Sequence, residues 1–86
     1  MATVEERVKA VTANILKLNL DQIKLENNFT VDLGAESVQS VELVAMFEEE
    51  FEIEMEEDEA LSVQTVSDAV EFITKVCLEQ GVAIEE

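Results

Sequence analysis

Ser37 stands in the run GAESVQSVELVAMFEEEFE, three residues after Gly34 and at the point where a helical repeat of apolar residues begins. A hydroxyl in that place has two readings. The commoner is an N-cap, because a serine oxygen can accept from the orphan N–H groups of a helix's first turn. The other is chemical. A phosphodiester formed on the hydroxyl would lie beside those N–H groups and the positive end of the helix dipole, which stabilise an added anion. The chain has no histidine, and no lysine lies near Ser37 in sequence, so any enzyme forming the ester must bring its own base. Ser37 is then a substrate residue and not a catalyst. The missing histidine also excludes Ser-His and Cys-His nucleophile pairs and histidine-containing zinc sites.

The helix that Ser37 opens has two apolar stripes. Advancing about 100° per residue along SVQSVELVAMFEEEFE puts Leu43, Val44, Phe47 and Phe51 on one side. Val38, Val41 and Ala45 fall on another, with Glu42, Glu48, Glu49 and Glu52 around them. A helix in a small bundle cannot bury both, so the second stripe is expected to stay exposed inside a rim of carboxylates. An apolar strip supplies contact area, and a charged border selects partners and speeds encounter. The blander reading is that Val38, Val41 and Ala45 merely touch a neighbouring loop.

The elements that must hold this helix follow from periodicity. TVEERVKAVTANILKL opens with Thr3 three residues before Glu6, the capping-box pattern, and repeats Val4, Val8, Val11 and Ile15 on one face. TVSDAVEFITKVCLEQG places Val66, Ala69, Val70, Ile73 and Cys77 together, with Thr65 as cap and Gly81 as stop. Cys77 therefore belongs to a core stripe and receives no chemistry. EMEEDEALSV carries only Ala60, Leu61 and Val63, enough for a turn or two of helix. Between the first two helices, Ile23, Leu25, Phe29, Val31 and Leu33 alternate with polar residues around Asn27-Asn28, a pattern a short β-hairpin could share. A lone hairpin is marginal in water, and no further strand pattern exists to pair with it, so a long loop pinned by its apolar side chains is preferred. The expected fold is all-α: a small four-helix bundle of three long helices and one short, with a long loop between the first and second.

Composition bounds the partners. Eighty-six residues suit a single domain, residues 1–86, well above the roughly 40-residue regime that needs disulfides or metal. Five Lys and Arg against 21 Asp and Glu give a net charge of −16, which argues against nucleic acid and anionic membrane surfaces as partners and in favour of basic proteins or cations. The cations are Arg7, Lys9, Lys17, Lys24 and Lys75, so residues 25–74 hold carboxylates without a counter-charge. One cysteine makes no intramolecular disulfide, no apolar run approaches the roughly 18 residues of a membrane span, and MATVEERVKA lacks signal-peptide features. A cytoplasmic location is the expectation. No segment has the alternating oxygen ligands, central glycine and closing glutamate of an EF-hand.

DLGAESVQSVELVAMFEEEFEIEM, with the opening TVEERV and the closing TVSDAVEFI, resembles the acyl carrier proteins of fatty-acid and polyketide type, over nearly the whole chain. In that family the serine of a Gly-x-Asp-Ser-Leu motif receives 4'-phosphopantetheine from coenzyme A through a dedicated transferase, and the arm's thiol carries acyl groups as thioesters. The resemblance implies Ser37 as the modified residue, with Gly34 and Ala35 matching the motif before it. It implies Glu36, Glu42, Glu48 and Glu49 as contacts for basic partner enzymes, the transferase and acyl-chain synthases and transferases among them. Val41 and Ala45 fall where the family's apolar contacts lie, and Val38 shares their stripe by helical spacing. It further implies a monomeric carrier that is not itself an enzyme, and an interior refuge for an acyl chain beside Val44, Phe47 and Ile73. The chain departs from the family in having Glu36 for aspartate, Val38 for leucine, neutral Gln39 where an acid is common, and no proline in EMEEDEA. The alternative reading is an acidic interaction module or adaptor that never carries an arm.

The glutamate clusters also generate a prediction. If cations relieve their mutual repulsion, Tm rises with added magnesium or calcium at low ionic strength; an unchanged melt counts against it.

Overall fold

The computed structural model describes residues 2–84. Within them the chain forms α1 (Val4–Leu16), α2 (Ser37–Phe51), α3 (Glu57–Leu61) and α4 (Val66–Gln80), the three long helices and one short that the periodicity predicts, and a 3-10 turn (Leu20–Gln22) that it does not, with no strand among the described residues. Thr3 Oγ1 accepts from the Glu6 N–H at 3.2 Å and Glu6 Oε1 from the Thr3 N–H at 2.9 Å, so the capping box closes. Thr65 Oγ1 accepts from the Asp68 N–H at 3.1 Å, and Gly81 ends α4 at φ +72°, a conformation that favours glycine.

The core is where the stripes converge. Val4, Val8 and Val11 of α1, Leu43, Phe47 and Phe51 of α2, and Val66, Ala69, Ile73 and Cys77 of α4 are all buried. Ile15 and Val70 reach only its margin. Burial pushes the Cys77 thiol up, which keeps it protonated and unreactive. Thr12 is buried too, and its hydroxyl is satisfied by donating to the Val8 carbonyl at 2.8 Å.

Two ties orient the helices. Arg7, at the start of α1, donates from Nε to Glu50 Oε2 at 2.8 Å and from Nη2 to the Glu50 carbonyl at 2.7 Å. Its guanidinium also lies 4.2 Å from the centre of the Phe51 ring. The start of α1 therefore meets the end of α2, and the two run antiparallel. At the same end, Gln80 exchanges hydrogen bonds with the Glu54 main chain, accepting from its N–H at 3.0 Å and donating to its carbonyl at 2.6 Å. α4 thus runs parallel to α2.

The segment 17–36 is a loop and not a hairpin. Its apolar residues do not share one face: Ile23 and Phe29 are buried, while Val31 is 82% exposed. Asn28 Oδ1 accepts from the Thr30 N–H, the Thr30 hydroxyl and the Val31 N–H, which curls the chain where a second strand would have to start. The extended part pairs with the start of α4 instead, through an isolated bridge between Asn28 and Thr65. Phe29 N–H donates to the Gln64 carbonyl at 2.9 Å, while the N–H groups of Val66 and Ser67 donate to the Asn27 and Leu25 carbonyls at 3.0 and 2.9 Å. Those two donors are orphan groups of the first turn of α4, so the loop caps α4 as it crosses it.

α2 ends on Glu52 at φ +55°, a left-handed conformation that glycine takes without cost. The turn aims Ile53 into the core. α3 is five residues long, buries only Ala60 and packs mainly against α2.

Two stability predictions follow from these local geometries. Glu52→Gly is expected to raise unfolding stability by about 1 kcal/mol in urea titrations, relative to Glu52→Gln, which removes the same charge but keeps the strain. Hydrogen bonds from the Thr3 main chain, and then its side chain, hold the Glu6 carboxyl below its ordinary range. Such a depressed group contributes stability above its unfolded pKa and loses it as pH falls through the folded one. The stability advantage of wild type over Glu6→Gln is therefore present at neutral pH and vanishes in acid.

Candidate functional site: the open end of α2

Gly34, at φ +75°, turns the chain into α2, and its N–H donates to the Thr30 carbonyl at 3.1 Å. Ala35 follows, buried, with its N–H on the Phe29 carbonyl at 2.8 Å. The loop is thus anchored on both sides of the turn. Glu36 is the N-cap and Ser37 is the first helical residue, so the reading of Ser37 as an N-cap serine is not what the chain adopts. Gln39 does part of the capping, its Oε1 accepting from the Glu36 N–H at 3.0 Å. The sequence signal for this cap is a glutamine three residues after Glu36.

Ser37 is exposed, at the positive end of a 15-residue helix with no acidic residue in its first turn. The first main-chain bond of the helix runs from the Ser40 N–H to the Glu36 carbonyl at 2.9 Å. The N–H groups ahead of it have no carbonyl within the helix to meet. An anion esterified to Ser37 would find donors and a favourable dipole, while aspartate or glutamate inside that turn would oppose it. The residues present fit a phosphodiester.

Along α2 the second stripe is open: Val38 is 72% and Val41 50% exposed, and Ala45 is exposed beside them. Glu36, Glu42, Glu49 and Glu52 are exposed around the strip. Glu48 differs. It is half-buried, and its Oε2 accepts from the main-chain N–H of Met55 at 2.9 Å. Its position on the helix was legible in sequence, but this internal bond was not, because Met55 reaches it only after the chain reverses at Glu52.

Behind the strip lies a cavity of about 410 Å³, open on one side, within the usual size of small-molecule sites. Val44 and Phe47 of α2 and Phe72 and Ile73 of α4 form its apolar floor. Phe29 and Val31 of the loop, with Leu61 and Val63 from the α3 region, form its rim. Val44, Phe47 and Ile73 are the residues expected to line such a refuge. Ser40, one turn beyond Ser37, also borders it, so the cavity and the serine lie on neighbouring parts of one helix. No cluster of metal-ligating side chains occurs among the described residues, and no helix among them is long and apolar enough to cross a membrane.

A small helical bundle whose second helix opens on an exposed serine, with an apolar hollow behind it, has the build of a carrier domain. The family described as phosphopantetheine attachment site matches residues 6–73, from the first turn of α1 to the middle of α4, and the chain belongs to it. Its members carry covalently attached 4'-phosphopantetheine, and the matched domain is a carrier and not a catalytic one.

Proposed function

We propose that this chain is a single-domain acyl carrier protein, residues 1–86, that bears 4'-phosphopantetheine on Ser37 and serves a fatty-acid or related acyl pathway in the cytoplasm. The observation that supports the assignment to Ser37 is its exposure at the first position of α2, where the dipole is positive and no residue of the first turn is acidic. When bound, the group supplies a flexible arm ending in a thiol that forms thioesters. The chain's residues do the rest. Gly34 and the buried Ala35 hold the serine out of the bundle, and the start of α2 stabilises the phosphodiester charge. Val38, Val41 and Ala45 offer contact area to partner enzymes, and Glu36, Glu42, Glu48 and Glu49 select those with basic surfaces, a phosphopantetheinyl transferase and acyl-chain synthases and transferases among them. The hollow beside Val44, Phe47 and Ile73 shelters an apolar cargo from water. Tethering then raises the effective concentration of the cargo at each docked active site without any catalysis by the carrier.

Incubation with coenzyme A and a broad-specificity phosphopantetheinyl transferase is expected to add one prosthetic-group mass, read by intact-protein mass spectrometry. Ser37→Ala should abolish the addition. Labelling at Ser40 would overturn the site.

A further inference from the structure

The hollow is polar at one end. Asn28, Thr30, Ser40 and Gln64 supply its polar side chains, and all four lie at the pole of the bundle where α2 and α4 begin. The Asn28–Thr65 bridge and the bond from the Phe29 N–H to the Gln64 carbonyl hold three of them together, and Ser40 joins them from α2. The other end is apolar, lined by Phe47 and Ile73, and the next turn along each helix, at Phe51 and Cys77, is buried. An amphipathic cargo therefore has one favoured orientation, with its polar thioester toward the pole that also bears Ser37 and its tail toward Phe47 and Ile73.

The polar end has hydrogen-bonding capacity that the fold leaves unused. Thr12 and Thr74, set in the bodies of α1 and α4, donate to the Val8 and Val70 carbonyls at 2.8 and 2.7 Å, the usual way a mid-helix hydroxyl is satisfied. Ser40 is half-buried in the body of α2 and lines the hollow, yet its hydroxyl meets no protein partner among the described residues. The glutamines divide in the same way. Gln22, Gln39 and Gln80 each accept from a main-chain N–H, whereas the Gln64 side chain makes no such bond among the described residues. Water satisfies both groups until a cargo fills the mouth and displaces it; each then needs a partner on the cargo. A saturated acyl thioester brings only its carbonyl, which accepts and cannot donate. A hydroxyl close to that carbonyl can donate to one of the two side chains and accept from the other.

We propose that the hollow selects acyl groups hydroxylated close to the thioester, at the third carbon, over saturated ones, and that Ser40 and Gln64 are the residues that read the hydroxyl. The position matters as much as the group. A hydroxyl at the third carbon stays at the polar end with the thioester, while one at the tail would be carried to Phe47 and Ile73, where it would be buried without a partner. This rests on the reading of the hollow as the cargo's shelter, but the selectivity is a property of the hollow and is measurable on free thioesters with no arm attached.

The test is an NMR titration of the unloaded chain with N-acetylcysteamine thioesters of octanoate, of each enantiomer of 3-hydroxyoctanoate, and of 8-hydroxyoctanoate. All are neutral, so the chain's charge of −16 does not bias the comparison. The better-bound 3-hydroxy enantiomer is expected to bind roughly three- to tenfold more tightly than octanoyl, the scale of a net hydrogen bond, and to shift the Gln64 side-chain amide resonances. The 8-hydroxy compound should bind more weakly than octanoyl. Ser40→Ala, which a helix accepts readily, and the exposed Gln64→Ala should each bring the 3-hydroxy to octanoyl ratio toward one; a mere packing defect would weaken both ligands alike. A ratio near one in wild type, a ratio that survives both substitutions, equal binding of the 3- and 8-hydroxy compounds, or no saturable binding overturns the proposal. Failure of Ser37 to accept the arm would sink the carrier reading and leave this selectivity untouched.

Discussion

α2 can turn only one face inward. Leu43, Phe47 and Phe51 occupy it, buried against α1 and α4, and the rest of the molecule is arranged around that choice. Because those residues sit in the middle and last turns, the helix is anchored at its far end and its first turn is left to water. Arg7 reinforces the anchored end, placing its charge on the C-terminal carbonyls where the dipole is negative, and covering Phe51 with its guanidinium. The open end is then the place where a hydroxyl can be both rigidly held and reachable.

The charge pattern follows the same division. A chain of net charge −16 has few cations to spend, and Arg7 is set against α2 where its side chain also packs. Lys9 pairs within α1 with Glu5. Most of the carboxylates on α2 and α3 are left facing solvent, where their mutual repulsion is not relieved by a neighbouring cation. Glu52 adds a local cost, since it holds a left-handed conformation at the end of α2. The turn it makes brings Ile53 into the core and Met55 to Glu48, so the strained residue is the one that connects the helix to the cavity wall.

The hollow lies where α2, α4, the crossing loop and the α3 region meet without filling the space between them. Its floor is made of residues that periodicity assigns to the core, such as Val44, Phe47 and Ile73. Its rim is made of residues with weaker patterns, Val31 among them, mostly exposed on a loop tied down by Asn28 and by the main chain at the start of α4.

Much of this was legible in the chain because it is local. Helices α1, α2 and α4, the Thr3 and Thr65 caps, the Gly34 turn, the Gly81 stop, the double-striped α2 and the open position of Ser37 all depend on residues within a turn or two of each other, and one-dimensional spacing records such relations. What only the tertiary structure decided joins residues far apart. The loop chose the start of α4 over a hairpin because capping Val66 and Ser67 satisfies donors that a lone hairpin would leave orphaned. Arg7 found Glu50 and Phe51 across the bundle, and Glu48 turned from a rim charge into a tie on Met55 because the chain doubles back at Glu52. Periodicity states which face of a helix is apolar; which main-chain groups come within reach of a side chain depends on how the helices pack, and no local pattern encodes that.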